Sequence, residues 1–172
     1  MEKTKKVEDS KTIMTEMIMP DHTNPLNNLM GGNLMRWMDI AAGICAAKHA
    51  ESHVVTASVD NISFHLPIPL GSVITITATV SRAFNTSLEV FCQVVTAEIT
   101  GLNERTSNQA YLTFVAIDEE TSKPTNVPQL IPQTALEKTL FKDAIKRREL
   151  RLLLAGRIKA SEATEIKELF QN

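Results

Sequence analysis

Residues 33–47, inside the stretch "MGGNLMRWMDIAAGICAAKHA", are apolar almost throughout, and Arg36 and Asp39 are the only charges there. On a 3.6-residue wheel Leu34, Trp37, Met38, Ala41, Ile44 and Cys45 form a broad apolar face. Met35, Asp39, Ala42 and Ala46 form an adjacent stripe that only the acid interrupts. Gly31-Gly32 open this predicted helix, and the pattern carries it to about Glu51. Before it, "KTIMTEMIM" alternates weakly as a short strand, and residues 20–28 read as a loop from their Pro, Asn and Asp content. After it, "HVVTASVDNISFHLPI" predicts a strand. Val55, Ala57 and Val59 share one parity and Ile62, Phe64 and Leu66 the other, so a β-bulge or bend is expected near Asp60 and Asn61. Gly71 suits a positive φ in the turn "PIPLGS". Ile74, Ile76, Ala78 and Val80 then alternate with Thr75, Thr77, Thr79 and Ser81, the pattern of a half-buried antiparallel strand. "NTSLEVFCQVVTAEIT" returns as its hairpin partner after a tight turn at Asn85-Thr86, and "SNQAYLTFVAID" supplies a further strand.

The order of strand, long apolar helix and several long antiparallel strands predicts an α+β fold in which the sheet wraps the helix. Residues 1–11 are expected to be a flexible tail and 12–118 the main domain. Residues 119–133 read as a Pro-containing linker, and 134–172 as a C-terminal helical extension. That extension opens on a capping box, Thr134 to Glu137, and its helix ends near Gly156. Leu136, Leu140, Ala144 and the stem of Arg147 fall on one stripe of it.

Composition changes this picture little. With 172 residues, 43% hydrophobic and 22% charged, the chain can bury one proper core. A net charge of −2 gives no reason to expect a nucleic-acid partner. No run of about 18 apolar residues predicts a membrane span. The charged amino terminus does not read as a secretory signal, so a cytoplasmic location is expected. Cys45 and Cys92 lie far apart in apolar runs and read as buried free thiols in a reducing compartment.

The candidate chemistry centres on Asp39. A carboxylate among apolar neighbours is costly to bury unless it is paired. One reading is a partly exposed ion pair between Arg36 and Asp39 at i, i+3; the other is a carboxylate kept in a narrow site for chemistry. At Gly31-Gly32 the unsatisfied N–H groups of a helix start favour negative charge, and glycine lets a ligand approach the backbone. Close packing of the helix on the sheet is the alternative use of those glycines. Asp39 stands about two turns on, roughly 10 Å from the helix start. An acyl group beside the first turns can thus meet both, with a water between it and the acid. His49 and His53 stand at i, i+4, but the helix is expected to end before His53 and no third ligand is evident, so no metal site is expected. His22 and His65 have no partner that spacing reveals.

Taken together, "PDHTN", "GGNLMRWMDIAAGICA", "VVTASVDNISFHLPIPLGS" and "NTSLEV" resemble the hotdog-fold acyl-CoA thioesterases, in particular the cytosolic, brain acyl-CoA hydrolase-like branch. The resemblance implies a long central helix wrapped by an antiparallel sheet. It implies a homo-oligomer, at least a dimer with sites between protomers and often a trimer of dimers. It implies hydrolysis of acyl-CoA to free acid and CoA, with no metal or organic cofactor beyond CoA as part of substrate and product. Asp39 is then general base or nucleophile, and Asn24, supplied by the other protomer, orients water or substrate. A backbone N–H near Gly32 holds the thioester carbonyl. Arg82, with Thr86 and Ser87 in the following turn, is a candidate contact for pantetheine or phosphates, and the basic run at 146–151 a lesser one. Met30, Met35 and Met38 are candidates for lining an acyl pocket or for plain core packing. The chain has Asn27 and Asn85 where relatives often carry glycine, and both turns are expected to tolerate left-handed backbone. A non-catalytic acyl-CoA-binding regulator on the same fold is the alternative.

Overall fold

The computed structural model describes residues 3–60, 62 and 66–167. They fall into two compact units, residues 3–131 and 132–167. In the first unit, strands β1 (Thr4–Lys6) and β2 (Thr12–Met17) precede the 20-residue helix α1 (Gly31–Ala50). Strands β3 (His53–Asp60), β4 (Val73–Ala83), β5 (Ser87–Ala97), β6 (Arg105–Ile117) and β7 (Gln129–Ile131) follow. Five strands form one antiparallel sheet in the order β2-β4-β5-β6-β3, and β1 pairs in parallel with β7.

The alternation along β4 is realised as predicted. Ile74, Ile76, Ala78 and Val80 are buried, as are Leu88, Val90, Cys92 and Val94 of β5 and Ala110, Leu112, Phe114 and Ala116 of β6. The register sets these residues opposite one another, so they form one continuous apolar face. Helix α1 lies on that face and touches all five strands. Leu34, Trp37, Met38, Ala41, Ala42, Cys45 and Ala46 of the helix are buried there. Each fully buried aliphatic side chain contributes about 1.5–3 kcal/mol, so this face holds the fold together. Ile44 departs from the predicted face: it is 45% exposed, along with Met35 and Ile40. The buried arc of α1 is turned toward Ala42 and Ala46, whose small side chains let the helix approach the sheet, and this rotates Ile44 outward.

Three further expectations are corrected. The register shift of β3 falls between Thr56 and Ser58, earlier than the expected position. Asn61, Phe64 and His65 lie outside the described residues. The segment expected to be a flexible tail forms β1 and a 3-10 turn, Val7–Asp9, with Val7 and Ser10 buried. Lys3 and Lys5 bind the Glu51 carboxylate at 2.8 and 3.0 Å, and Lys5 Nζ also donates to the Lys48 carbonyl. A cation there meets the carbonyl-rich end of α1, where the helix dipole favours it. Glu51 itself takes the left-handed conformation that ends the helix, φ 55°. Asn27 adopts positive φ as expected, at 56°, as does Gly71; Asn85 does not. The two-residue turn at Asn85-Thr86 is closed instead by Phe84 N–H donating to the Ser87 carbonyl at 2.8 Å.

The second unit consists of α2 (Ala135–Leu154) and α3 (Thr164–Lys167). The capping box forms: Glu137 N–H donates to Thr134 Oγ1 at 3.2 Å, and the Glu137 carboxylate accepts from Thr134 N–H. Of the predicted stripe Ala144 is buried, whereas Leu136 is exposed. The Glu149 carboxylate accepts from Glu165 N–H and Ile166 N–H and so caps the first turn of α3.

Candidate active site

Asp39 projects from the middle of α1 and is half-buried. Thr56 Oγ1 donates to its Oδ1 at 2.8 Å. The β3 bulge explains this bond. Thr56 pairs with Phe114, whose side chain belongs to the helix-facing side of the sheet, so Thr56 faces α1 as well. The extra residue, Ala57, then resets the alternation so that Val59, opposite the buried Leu112, faces the same side. Among the described residues no ion pair joins Arg36 to Asp39; Arg36 is exposed. The carboxylate is therefore held by a neutral donor, and its Oδ2 has no partner among the described residues.

At the amino end of α1, Met30 is the N-cap and offers no side-chain cap. Asn33 and Leu34 donate back to the Met30 carbonyl. The amides of Gly31 and Gly32 have no acceptor among the described residues, the state expected for the first N–H groups of a helix. A Cβ added at Gly32 would meet nothing within 4 Å. Gly32 is thus not there to let the helix pack closely; the space over its backbone is open.

Asn24 lies in the turn that precedes the helix. Its Oδ1 accepts from Leu26 N–H at 3.0 Å and from Asn28 N–H at 3.1 Å. The backbone closes the same turn, with Asn24 N–H donating to the Asn28 carbonyl and Asn27 N–H to the Asn24 carbonyl. The Asn24 oxygen is committed to its own loop, and its Nδ2 has no acceptor among the described residues. Asn24 is accordingly a hydrogen-bond donor toward any ligand.

Arg82, Thr86 and Ser87 sit at the β4–β5 hairpin end, with the Arg82 guanidinium 5.7 Å from the centre of the Phe84 ring. The neighbouring Asn85 borders a cavity of about 990 Å³ together with Ala47, Ala50 and Glu51. That is the carboxyl end of α1. At 1.5 Å per residue it stands roughly 24 Å from Gly31. Within one chain the structure brings Asp39 and Thr56 together and sets the open amides two turns away; it does not bring Arg82, Thr86 and Ser87 to those amides.

His49 is buried, with Nε2 at 3.0 Å from the Pro128 carbonyl and Nδ1 at 3.4 Å from Ser10 Oγ. Burial pushes its pKa below the ordinary value of 6.5. No group of three metal-ligating side chains occurs among the described residues. Cys45 and Cys92 are buried free thiols. Burial raises both, Cys45 to about 12, which makes neither a nucleophile near neutral pH. Met38 is core, while Met30 and Met35 are exposed close to the helix start. Among the described residues no helix is long and apolar enough to cross a membrane.

Thr56 is the residue that the sequence pattern did not single out. Its signal was weak: a threonine in a strand of mixed parity looks like an outward-facing position until the bulge is placed.

The thioesterase superfamily matches residues 26–102. The chain is 41% identical over 146 residues to acyl-coenzyme A thioesterase 11 of Mus musculus, covering 85% of this chain and 24% of that one. It thus spans about a quarter of that relative's length. An acyl-CoA hydrolase from Staphylococcus aureus, solved with butyryl coenzyme A, coenzyme A and coenzyme A disulfide, superposes with a TM-score of 0.82 at 33% identity, over 98% of this chain and 99% of that one. The same hydrolase has been solved with an aspartate, a threonine or an asparagine replaced by alanine. From asparagine to aspartate is 15 residues in that chain and from aspartate to threonine 17, the spacings of Asn24, Asp39 and Thr56 here. An apo-hexameric acyl-CoA thioesterase superposes with a TM-score of 0.85 at 36% identity, over 89% of this chain and 97% of that one. The chain belongs to the thioesterase superfamily and has the hotdog fold of its acyl-CoA hydrolases.

Proposed function

We propose that this protein hydrolyses acyl-CoA thioesters to a carboxylic acid and CoA, with Asp39 as the general base. The observation that carries this reading is the Thr56–Asp39 hydrogen bond, two turns from amides left open at a glycine helix start. The thioester carbonyl sits against the Gly31-Gly32 amides, and the Nδ2 donor of the partner's Asn24 serves the same oxygen. Asp39 Oδ2 takes a proton from water as the water oxygen bonds to the carbonyl carbon. The oxyanion is stabilised by the preorganised donors, each worth roughly 10²–10³ in rate. Its collapse breaks the C–S bond, CoA leaves as thiolate, and the proton on Asp39 returns to the sulfur or to solvent. Thioesters are activated acyl groups, and this route uses CoA only as part of substrate and product.

The site is shared between copies of the chain in this reading. Among the described residues strand β3 is an edge strand, paired only with β6. Val55 and Val59 on it are exposed, as are Met35, Ile40 and Ile44 on the outward side of α1. An unpaired edge beside apolar side chains calls for a partner. A second copy supplies one and brings its own Asn24 and its β4–β5 hairpin to the first copy's site. That arrangement accounts for Arg82, Thr86 and Ser87 serving CoA despite their distance from the amides of their own chain. The hexameric state of the similar thioesterase supports assembly beyond the dimer. A thiol-release assay over acyl-CoAs from acetyl to palmitoyl tests the activity. Turnover on at least one chain length is expected; release no faster than in buffer on any of them overturns it.

A further inference from the structure

We propose that His22 is a positioning residue that fixes the Asn24 turn against the amino end of α1. The claim rests on the reading of Asn24 and the Gly31-Gly32 amides given above. His22 ends a 3-10 turn, Pro20–His22, and engages the chain on three sides. Its Nδ1 accepts from Met19 N–H at 3.1 Å, which folds the imidazole back onto its own turn. Its ring meets the Trp37 indole edge-on, centroids 4.9 Å apart and planes at 86°. Its carbonyl accepts twice: from Met30 N–H at 2.9 Å and from Asn33 Nδ2 at 3.1 Å.

These contacts have one geometric consequence. Met30 is the N-cap of α1 and Asn33 belongs to its first turn, so the His22 carbonyl is tied to both flanks of the Gly31-Gly32 pair. Asn24 is two residues beyond His22, in a turn whose far side is held by Leu29 N–H on the Ile68 carbonyl and Leu70 N–H on the Asn27 carbonyl. The Asn24 turn, whose donor is presented to the partner copy's site, is therefore anchored by one residue to the helix start of its own chain. Trp37 is nearly buried and lies one helical turn above Asn33, so the stack gives the imidazole a rigid floor. An acceptor at Nδ1 requires the ring proton on Nε2, which faces Asp21 Oδ1 at 3.6 Å. His22 thus engages the chain through its Nδ1, its carbonyl and its ring.

The test uses the full chain and steady-state hydrolysis of its best acyl-CoA. His22→Phe keeps the ring and removes the acceptor; His22→Asn keeps an acceptor near the Nδ1 position and removes the ring. Asn33→Ala removes one of the two donors on the carbonyl. His22→Phe and Asn33→Ala should each lower kcat roughly 10–100-fold, the cost of displacing an oriented group by about 1 Å. KM should change less than about threefold, and His22→Asn should recover part of the His22→Phe loss. Each substitution is repeated in an Asn24→Ala chain. Because His22 acts through Asn24, the kcat loss should there shrink to less than about threefold, a coupling that independent sites lack. Equal fold losses in both backgrounds, or no loss in either, overturn the positioning role and leave Asn24 standing. An Asn24→Ala chain as fast as wild type overturns the reading of Asn24 itself and His22 with it.

Discussion

The hydroxyl of Thr56 donates to Asp39 Oδ1 at 2.8 Å, across the gap between an edge strand and the helix that the sheet wraps. A neutral donor on one carboxylate oxygen fixes the side chain and leaves the other oxygen with a defined direction. Thr56→Val keeps the shape and removes the bond. It should lower kcat roughly 10–100-fold with folding intact, because an unoriented base loses the geometric part of its advantage. Thr56→Ser should restore most of the rate. Steady-state kinetics on the purified variants checks both.

Gly32→Ala separates packing from ligand approach. The Cβ enters open space and the backbone there is ordinary helix, so the fold should be unharmed. Alanine should leave the thermal midpoint equal or slightly higher, since glycine in a helix costs up to about 1 kcal/mol relative to alanine. The same methyl stands over the amides proposed to hold the carbonyl, so kcat/KM should fall roughly tenfold or more. Calorimetry and kinetics on one variant test the two halves independently.

Acid should destabilise the protein in two windows. Burial lowers the pKa of His49 below its ordinary 6.5, so the unfolded chain binds that proton more readily than the folded one. The stabilisation is complete above pH 6.5 and is lost as pH falls below it. His49→Gln should flatten this limb in urea titrations between pH 7.5 and 5.5. The second window belongs to Glu51, which Lys3 and Lys5 hold at about 2 against an ordinary 4.5. Its contribution is present above pH 4.5 and disappears as pH falls toward 2. Glu51→Gln should weaken the protein at neutral pH and remove that part of the acid limb.

The sequence made the buried elements legible because burial writes a period into the chain. The helix bounds, the β4 alternation, the hairpin at Asn85-Thr86 and the Thr134 capping box all follow from local pattern. What local pattern does not contain is register. Whether Thr56 faces Asp39 depends on a single extra residue, Ala57, and the Val55-Ala57-Val59 parity suggested continuity there. The β1 segment was unreadable for a similar reason. "TKK" looks like solvated tail, and the far end of α1 is what gives Lys5 its partners, the Glu51 carboxylate and the Lys48 carbonyl. Ile44 exposes the remaining gap. One chain's apolar pattern marks every face that is covered, whether by its own sheet or by a second copy.

The most direct test of the central claim is kcat of Asp39→Asn, a replacement of nearly the same shape that cannot take a proton at neutral pH. The variant should fold and assemble as wild type while kcat falls roughly 10²–10⁴-fold, the range for loss of a general base. An Asp39→Asn protein that releases CoA at the wild-type rate would contradict the account.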